Sequence, residues 1–258
     1  MMSVFEAPTA WRSERLAQMR AGRTLGFVPT MGALHEGHLS LVRRSRAEND
    51  LTLVSIFVNP TQFDDPADLA AYPRTLDEDL GMLRAEGADF VIHPRETDLY
   101  PDGYRYRVTE SPLSGALEGA HRPGHFDGVL TVVLKLLQIA SADRAYFGEK
   151  DWQQLILVRG MAEAFFLPTA IVACATVREA DGLALSSRNC RLLPLDRKRA
   201  PRFCQALSSA ATADEACRQL RAEGFEVDYV EDREGRRLGA VRLGGVRLID
   251  NMPLGDVR

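Results

Sequence analysis

Cysteine is scarce: four in 258 residues, Cys174, Cys190, Cys204 and Cys217, none in a C-x-x-C pair and none beside a histidine cluster. That spacing argues against a disulfide framework or a zinc finger, and predicts free thiols in a reducing, cytoplasmic setting. Long apolar runs are missing too. The longest, residues 129–140 and 155–167, are interrupted by Lys135 and by Arg159 and Glu163, so neither reads as a membrane span. The N-terminal segment carries Glu6, Arg12 and Glu14 and has no apolar signal core. Positive charge is not in excess. A formal net charge of −4 speaks against broad binding to nucleic acid or to an anionic membrane, while leaving room for a local basic pocket. No internal repeat or low-complexity tract is evident.

What is present is ordinary in amount: 45% hydrophobic and 26% charged residues in 28.6 kDa, enough for one large domain with a core and a small second one. Its order is informative. Short β-prone segments at 24–28, 51–58, 89–92, 144–147 and 170–173 alternate with helical ones at 12–21, 37–49, 76–86, 129–140 and 151–166. The segment Leu51–Val58 is apolar on both faces, as a strand buried in a parallel sheet must be. Thr75 with Glu78 predicts a capping box, and Gly87 a helix stop. This alternation predicts an open, doubly wound α/β sheet, with ligands at the carboxyl ends of its strands. After about Asn189 the composition shifts. Helices at 196–210 and 213–222 (Thr212 and Glu215 again a capping box) precede three short strands at 226–231, 239–243 and 246–249. A small α+β C-terminal domain is expected, with the division placed at 1–178 and 179–258.

Four segments carry candidate chemistry, and a fifth borders a pocket. Met31-Gly32-Ala33-Leu34-His35-Glu36-Gly37-His38 lies between a strand and a helix. Its two histidines are three residues apart and so share a helical face. Glycines admit a ligand to the backbone, and a helix N-terminus offers N–H groups and partial positive charge, which suits phosphate. Imidazoles there can donate to a phosphoryl group whose charge grows in the transition state. A pair of loop-stabilising or metal-binding histidines is the competing reading, and position after a strand favours a nucleotide site. Gly148-Glu149-Lys150-Asp151 ends another strand: Lys150 is a mobile cation suited to phosphate, and Asp151 reads as a ribose acceptor, a helix cap or both. Val177 to Asn189 ends in Leu185-Ser186-Ser187-Arg188, small hydroxyls beside a cation suited to a pyrophosphate leaving group; an ordinary polar linker reads the same way.

Phe57 to Phe63 contains Asn59 and Gln62, amides able to read hydroxyls and a carboxylate on a small substrate. The acidic residues Asp64, Asp65, Asp77, Glu78 and Asp79 read as solvated or helix-terminal groups, with contact to Mg²⁺ the alternative and no metal ligand assigned. Glu118 to Gly128 precedes an apolar helix, and His125 there reads as a satisfied structural histidine.

With these segments in view, the chain closely resembles the pantothenate synthetase family. The resemblance rests on GFVPTMGALHEGHLSLVRRSR (26–46), FVNPTQF (57–63), YPRTLDEDL (72–80), LEGAHRPGHFDGVLTVVLKLLQI (117–139), FGEKDWQQL (147–155) and VREADGLALSSRN (177–189), in family order, with weaker matches at VDYVE (227–231) and RLIDN (247–251). It implies a Rossmann-like fold of the HxGH nucleotidyltransferase type, a homodimer, and ATP-dependent joining of pantoate to β-alanine with Mg²⁺. It implies that Met31 through His38 line the ATP site with His38 assisting phosphate chemistry. Gly148 through Asp151 and Val177 would hold the adenosine, and Ser186, Ser187 and Arg188 would occupy the loop equivalent to the synthetase KMSKS signature. Gln62 and Gln154 match glutamines that hold pantoate, Gln62 also serving β-alanine. The implied catalytic set is His35, His38, Lys150 and Arg188.

Three departures stand out. Leu185 replaces the usual Met, a volume-conserving swap that costs under ~1.5 kcal/mol. Asp64 replaces the usual Gly after Gln62-Phe63. The C-terminal region looks short. Rival readings are an adenylyltransferase acting on a phosphate, which Gln62 and Gln154 argue against, and a non-catalytic nucleotide-binding regulator, which the intact His35, His38, Lys150 and Arg188 argue against.

Overall fold

A computed structural model describes residues 2–255. The chain divides into two compact units. The first runs to Glu149 and resumes from Gln153 to Cys174; the second takes Lys150–Trp152 and the chain from Ala175 on.

The first unit is a six-stranded sheet. Its strands are β1 (Ser3–Phe5), β2 (Leu25–Thr30), β3 (Leu51–Ile56), β4 (Phe90–Ile92), β5 (Arg144–Gly148) and β6 (Ala170–Cys174), in the order β1-β4-β3-β2-β5-β6. Every pairing is parallel. All six residues of β3 are buried, as continuous hydrophobicity predicts for a strand covered on both faces. The helices are α1 (Pro8–Arg20), α2 (Glu36–Glu48), α3 (Pro66–Ala70), α4 (Leu76–Ala85), α5 (Glu96–Leu99), α6 (Glu118–His121), α7 (His125–Ala140) and α8 (Trp152–Ala164). Val28, Val54 and Val91 from three adjacent strands meet Leu41, Val42 and Leu83 from α2 and α4 in one core. Strand order reverses between β2 and β5, so the carboxyl ends of these two strands border the crevice where doubly wound sheets bind ligands.

Several boundaries differ from the sequence reading. Strand β2 does not stop before Pro29 but runs on to Thr30. The carbonyl of Thr30 bonds towards β3 and that of Leu25 towards β5; by alternation Pro29 faces the β5 side. Pairing with β5 has ended there at Phe27, so the missing N–H of Pro29 removes no ladder bond. Helix α7 begins at His125, after Gly124 at φ 78°, because its polar first turn continues into the apolar run read from sequence. Thr75 is the N-cap residue of α4 without a side-chain cap bond; its hydroxyl donates to Asp79 instead. Gly87 does end α4, at φ 74°. Strand β1 has no counterpart in the sequence reading, three residues being too few for a pattern.

The second unit contains α9 (Pro194–Arg199), α10 (Pro201–Ser209), α11 (Ala213–Ala222) and an antiparallel sheet of β7 (Glu226–Arg233), β8 (Arg236–Leu243) and β9 (Val246–Pro253), in the order β7-β8-β9. The single helix expected over 196–210 is two, because Pro201 cannot extend α9 and starts α10 at N1. Thr212 does cap α11, accepting from Glu215 N, while the Glu215 carboxylate takes Ala211 N rather than closing the box. Phe203, Leu207, Leu220, Val230, Val241 and Leu248 form the core of this unit. Buried Arg237 pairs with Asp232 and donates to the carbonyls of Leu207 and Ala210 at the end of α10, which satisfies both the charge and the helix terminus.

Candidate active site

The loop that leaves β2 is bent by local necessity. Gly32 sits at φ 80° and Ala33 at φ 49°, both left-handed, a conformation that is costly for alanine. Asp79 holds it there. Its carboxylate, 1% exposed, accepts from Ala33 N at 3.0 Å and Leu34 N at 2.8 Å. From the other side Gly32 N donates to the Thr30 hydroxyl, which itself donates to Ser55 O. The sequence reading of Asp79 as a solvated helix-terminal group is therefore corrected: α4 buries it beneath the loop, where backbone N–H groups compensate its charge.

The loop delivers His35 to the N-cap of α2 and His38 to N3. The Nδ1 atom of His35 accepts from Gly37 N at 3.1 Å, and His35 N donates to Nδ1 of His38 at 3.4 Å. Both Nδ1 atoms accept from backbone N–H groups, which leaves Nε2 of each ring as the donor position. The rings stack with centroids 4.1 Å apart, tilted by 30°. Two N–H donors thus stand at a helix N-terminus above the switch point of the sheet, an arrangement suited to an oxyanion. Glu36 turns away to Arg43, which pulls its carboxyl below the usual carboxylate range.

Gln62 is brought to the same loop, its amide donating to Met31 Sδ at 3.0 Å and accepting from Asn59 Nδ2 at 3.0 Å. Asn59, 1% exposed, is fully engaged, since its oxygen accepts from the hydroxyls of Tyr100 and Thr61. It acts here as a support for Gln62. The Gln62 carbonyl accepts from Arg122 Nη2 at 3.3 Å and lies 2.7 Å from His125 Nδ1. Arg122 always donates, so its contact at 3.1 Å with His125 Nε2 leaves the His125 proton on Nδ1, facing that carbonyl. His125 is thus structural, as read from sequence. Asp64 is ion-paired with Arg122 at 2.9 Å; its carboxyl is disfavoured by burial, but the bond and charge of Arg122 outweigh this and hold it below its ordinary value. Gly128 has a close-approach role: a Cβ there would lie 2.2 Å from Thr61 O and 2.7 Å from Gln62 Cα. Gln153 is buried, donating to the carbonyls of Leu113 and Ala116 and accepting from Glu118 N, while its neighbour Gln154 is half-buried. The sequence reading places Arg122 in a loop near a pocket without its partners, and misses Gln153 and Tyr100, because these roles depend on contacts to residues far along the chain.

In the second unit, Lys150 lies 4.0 Å from Asp151, with its side chain 18% exposed. Residues 177–185 form a hairpin-like turn in which Leu185 N donates to Val177 O and Glu179 N to Leu183 O. Ser186 closes the next turn, its hydroxyl accepting from Arg188 N and its carbonyl from Asn189 N. The Asn189 amide donates to Glu179 and Ala184. Ser187 and Arg188 are half-buried on this turn. Among the described residues no group of three or more His, Cys, Asp or Glu is placed to hold a metal ion, and Asp79 and Asp64 already have other partners. A resident Mg²⁺ cage does not fit these side chains.

A parallel doubly wound sheet with paired imidazoles on a helix N-terminus at its switch point defines an α/β fold whose crevice suits an anionic ligand. Within that class, the chain belongs to the pantoate-beta-alanine ligase family, whose model matches residues 3–253. It is 53% identical over 254 residues to a pantothenate synthetase of Bdellovibrio bacteriovorus, covering 98% of this chain and 100% of that protein. A pantothenate synthetase of Coxiella burnetii is 51% identical over 253 residues, covering 98% and 97%. Among solved structures, a pantoate-beta-alanine ligase from Francisella tularensis, complexed with beta-gamma ATP and beta-alanine, superposes with a TM-score of 0.93 at 40% identity, covering 98% of each chain. A pantothenate synthetase from Thermus thermophilus gives 0.88 at 41%, covering 98% and 99%. The aligned stretches cover 97–100% of the two curated relatives, so the C-terminal region is as long as theirs. No helix among the described residues is long and apolar enough to cross a membrane.

Proposed function

We propose that this protein condenses (R)-pantoate with β-alanine through a pantoyl-adenylate intermediate, releasing AMP and pyrophosphate. The observation that carries this reading is the His35–His38 pair, with Nε2 of each ring as the donor position, in a chain that matches the ligase family over nearly its whole length. In the first step a pantoate carboxylate oxygen attacks the α-phosphorus of ATP, and the bond to the bridging oxygen of the β-phosphate breaks. In the second, the free amine of β-alanine attacks the activated acyl carbon; the carbonyl–phosphate bond breaks, AMP leaves and the amine loses a proton. Positioning and charge neutralisation do most of this work.

The roles follow the chemistry of the groups. Met31, Gly32, Ala33, Leu34 and Gly37, with the backbone of Glu36, line the ATP site around His35 and His38, which donate to its phosphates. Gly148, Glu149, Asp151 and Val177 hold the adenosine side. Lys150 and Arg188 neutralise phosphate charge, with Leu185, Ser186 and Ser187 shaping the loop that carries Arg188. Gln62 and Gln154 hold pantoate, and Gln62 also serves β-alanine. Mg²⁺ enters as part of the MgATP substrate, held chiefly by phosphate oxygens. Residues 1–178 form the ATP- and pantoate-binding domain. The protein is cytoplasmic and a homodimer, which sedimentation at micromolar concentration reads directly.

The test is a mixture of protein, ATP, Mg²⁺, pantoate and β-alanine, with each substrate omitted in turn and products identified by mass. Pantothenate and AMP are expected from the complete mixture alone. Pyrophosphate release without any acid, or with every acid offered, counts against the reading. His38→Ala and Lys150→Ala are each expected to lose at least ~10²-fold in pyrophosphate release, the scale for deleting a transition-state donor; near-normal rates in both remove these roles.

A further inference from the structure

The Arg-Leu-Ile-Asp-Asn segment near the end of the chain carries none of the residues assigned to substrates, yet its last two residues are among the most buried polar groups of the molecule: Asp250 is 3% and Asn251 2% exposed. Both lie on β9, an edge strand, where consecutive side chains point to opposite faces. Asp250 is on the helix side, since its cross-strand partner Gly239 faces Phe203 and Leu207. Asn251 is on the other. A buried carboxylate beside a buried amide is costly unless each is fully bonded, and the bonds they make lead to two of the segments assigned to phosphate handling.

The Asn251 amide donates from Nδ2 to the backbone carbonyl of Lys150 at 3.0 Å. Its oxygen accepts from Arg236 Nε at 2.6 Å, and the Arg236 guanidinium lies over the Trp152 ring, 4.3 Å from its centroid, a cation–π contact. Lys150 and Trp152 are therefore gripped from one residue on β9, directly and through one arginine. On the opposite face the Asp250 carboxylate takes a two-pronged pair from Arg178, at 2.7 and 2.9 Å, and Asn251 N at 2.8 Å. Arg178 also donates to Gly182 O, closing the turn whose return strand leads to Ser186 and Arg188.

We propose that Asn251 is a positioning residue for Lys150. The proposal deepens the functional reading and rests on it for the role of Lys150. A long, flexible lysine contributes to a transition state only if its backbone is placed well; a misplacement of ~1 Å costs on the order of 10²-fold. Asn251 suits this task because an amide donates to a carbonyl and accepts from a guanidinium at the same time, which neither Asp nor Leu does.

The test uses the full-length enzyme and four variants: Asn251→Ala, Asn251→Asp, Lys150→Ala and the Lys150→Ala/Asn251→Ala double variant. Pyrophosphate release with ATP and pantoate, the KM for each substrate, and Tm are measured. Asn251→Ala is expected to slow release at least ~10-fold, with the pantoate KM unchanged. In the Lys150→Ala background the same substitution is expected to add no further loss, because the group it positions is gone. Asn251→Asp keeps the shape but sets a carboxylate against the Lys150 carbonyl; it is expected to lose rate comparably, and it serves in place of Asn251→Ala should that variant not fold. Equal losses from Asn251→Ala in both backgrounds would mean general structural damage and overturn the proposal alone. A Lys150→Ala enzyme at full rate would overturn the Lys150 assignment, and this proposal with it.

Discussion

Asp79 shows how much a single side chain decides. Its two carboxylate oxygens receive the N–H groups of Ala33 and Leu34, so the left-handed bend before His35 is compensated by charge-assisted bonds worth ~1.5–3 kcal/mol each. Removing them leaves the N–H groups of a buried loop unpaired and an alanine in a disfavoured conformation. Asp79→Ala is expected to lower Tm by roughly 5 °C or more and to slow pyrophosphate release, since the histidines lose their placement. Asp79→Asn, which presents an N–H to one of the two backbone donors, is expected to fall between. Calorimetry with the pyrophosphate assay checks both; an Asp79→Ala protein with unchanged Tm and rate shows that the loop holds itself. Asp64 answers a question raised by its departure from the family pattern. Replacing a usual glycine, it ties the chain after Gln62 to Arg122 and does not leave that loop bare.

Among the elements, the first turn of α7 is the surface against which Gln62 is set. Gly128 packs on the backbone of Thr61 and Gln62, and two effects of Gly128→Ala compete. Alanine in a helix interior is favoured over glycine by ~0.8–1.0 kcal/mol. A Cβ 2.2 Å from a backbone carbonyl oxygen forces a shift that costs ~1–3 kcal/mol, and backbone yields less readily than a side-chain tip. The clash is expected to win, with a lower Tm and a raised pantoate KM at little change in the ATP KM. A rise in Tm would show that the turn at 60–62 moves aside freely. The same helix is only partly legible in sequence. The apolar run from Val129 identifies a buried helix, and 11 of its 16 residues are indeed buried. Its start at His125 is hidden, because a polar first turn and a preceding loop have the same composition.

For the molecule as a unit of stability, pH dependence follows from two buried phenols. Burial is the largest cause that raises Tyr100 from its ordinary value of 10.0 to about 12, and Tyr146 likewise to about 12. Both are acids whose folded pKa lies above the unfolded one, so the native state holds these protons where the unfolded chain has released them. Their contribution is full below pH 10 and is lost as pH rises towards 12. Tm is expected to hold up to about pH 10 and then fall, with Tyr100→Phe and Tyr146→Phe each flattening the fall. A Tm series at pH 9–12 tests this, and an unchanged slope in both variants assigns the alkaline limb to other groups.

Sheet type, the order of the main elements and the family are legible in the amino-acid order, because they depend on periodicity and on short motifs whose meaning is local: β-branched apolar runs for β3 and β6, a glycine stop for α4, paired histidines after a strand. What supports those motifs emerges only once the chain is folded. The bond from Asp79 to Ala33 spans 46 residues and that from Asn251 to Lys150 spans 101. The Gly128 contact with Thr61 likewise joins segments that share no local pattern. An acidic residue reads the same in sequence whether it is solvated or buried under a loop; which of the two it is depends on the packing of distant segments, and so does the burial that turns a polar side chain into a support.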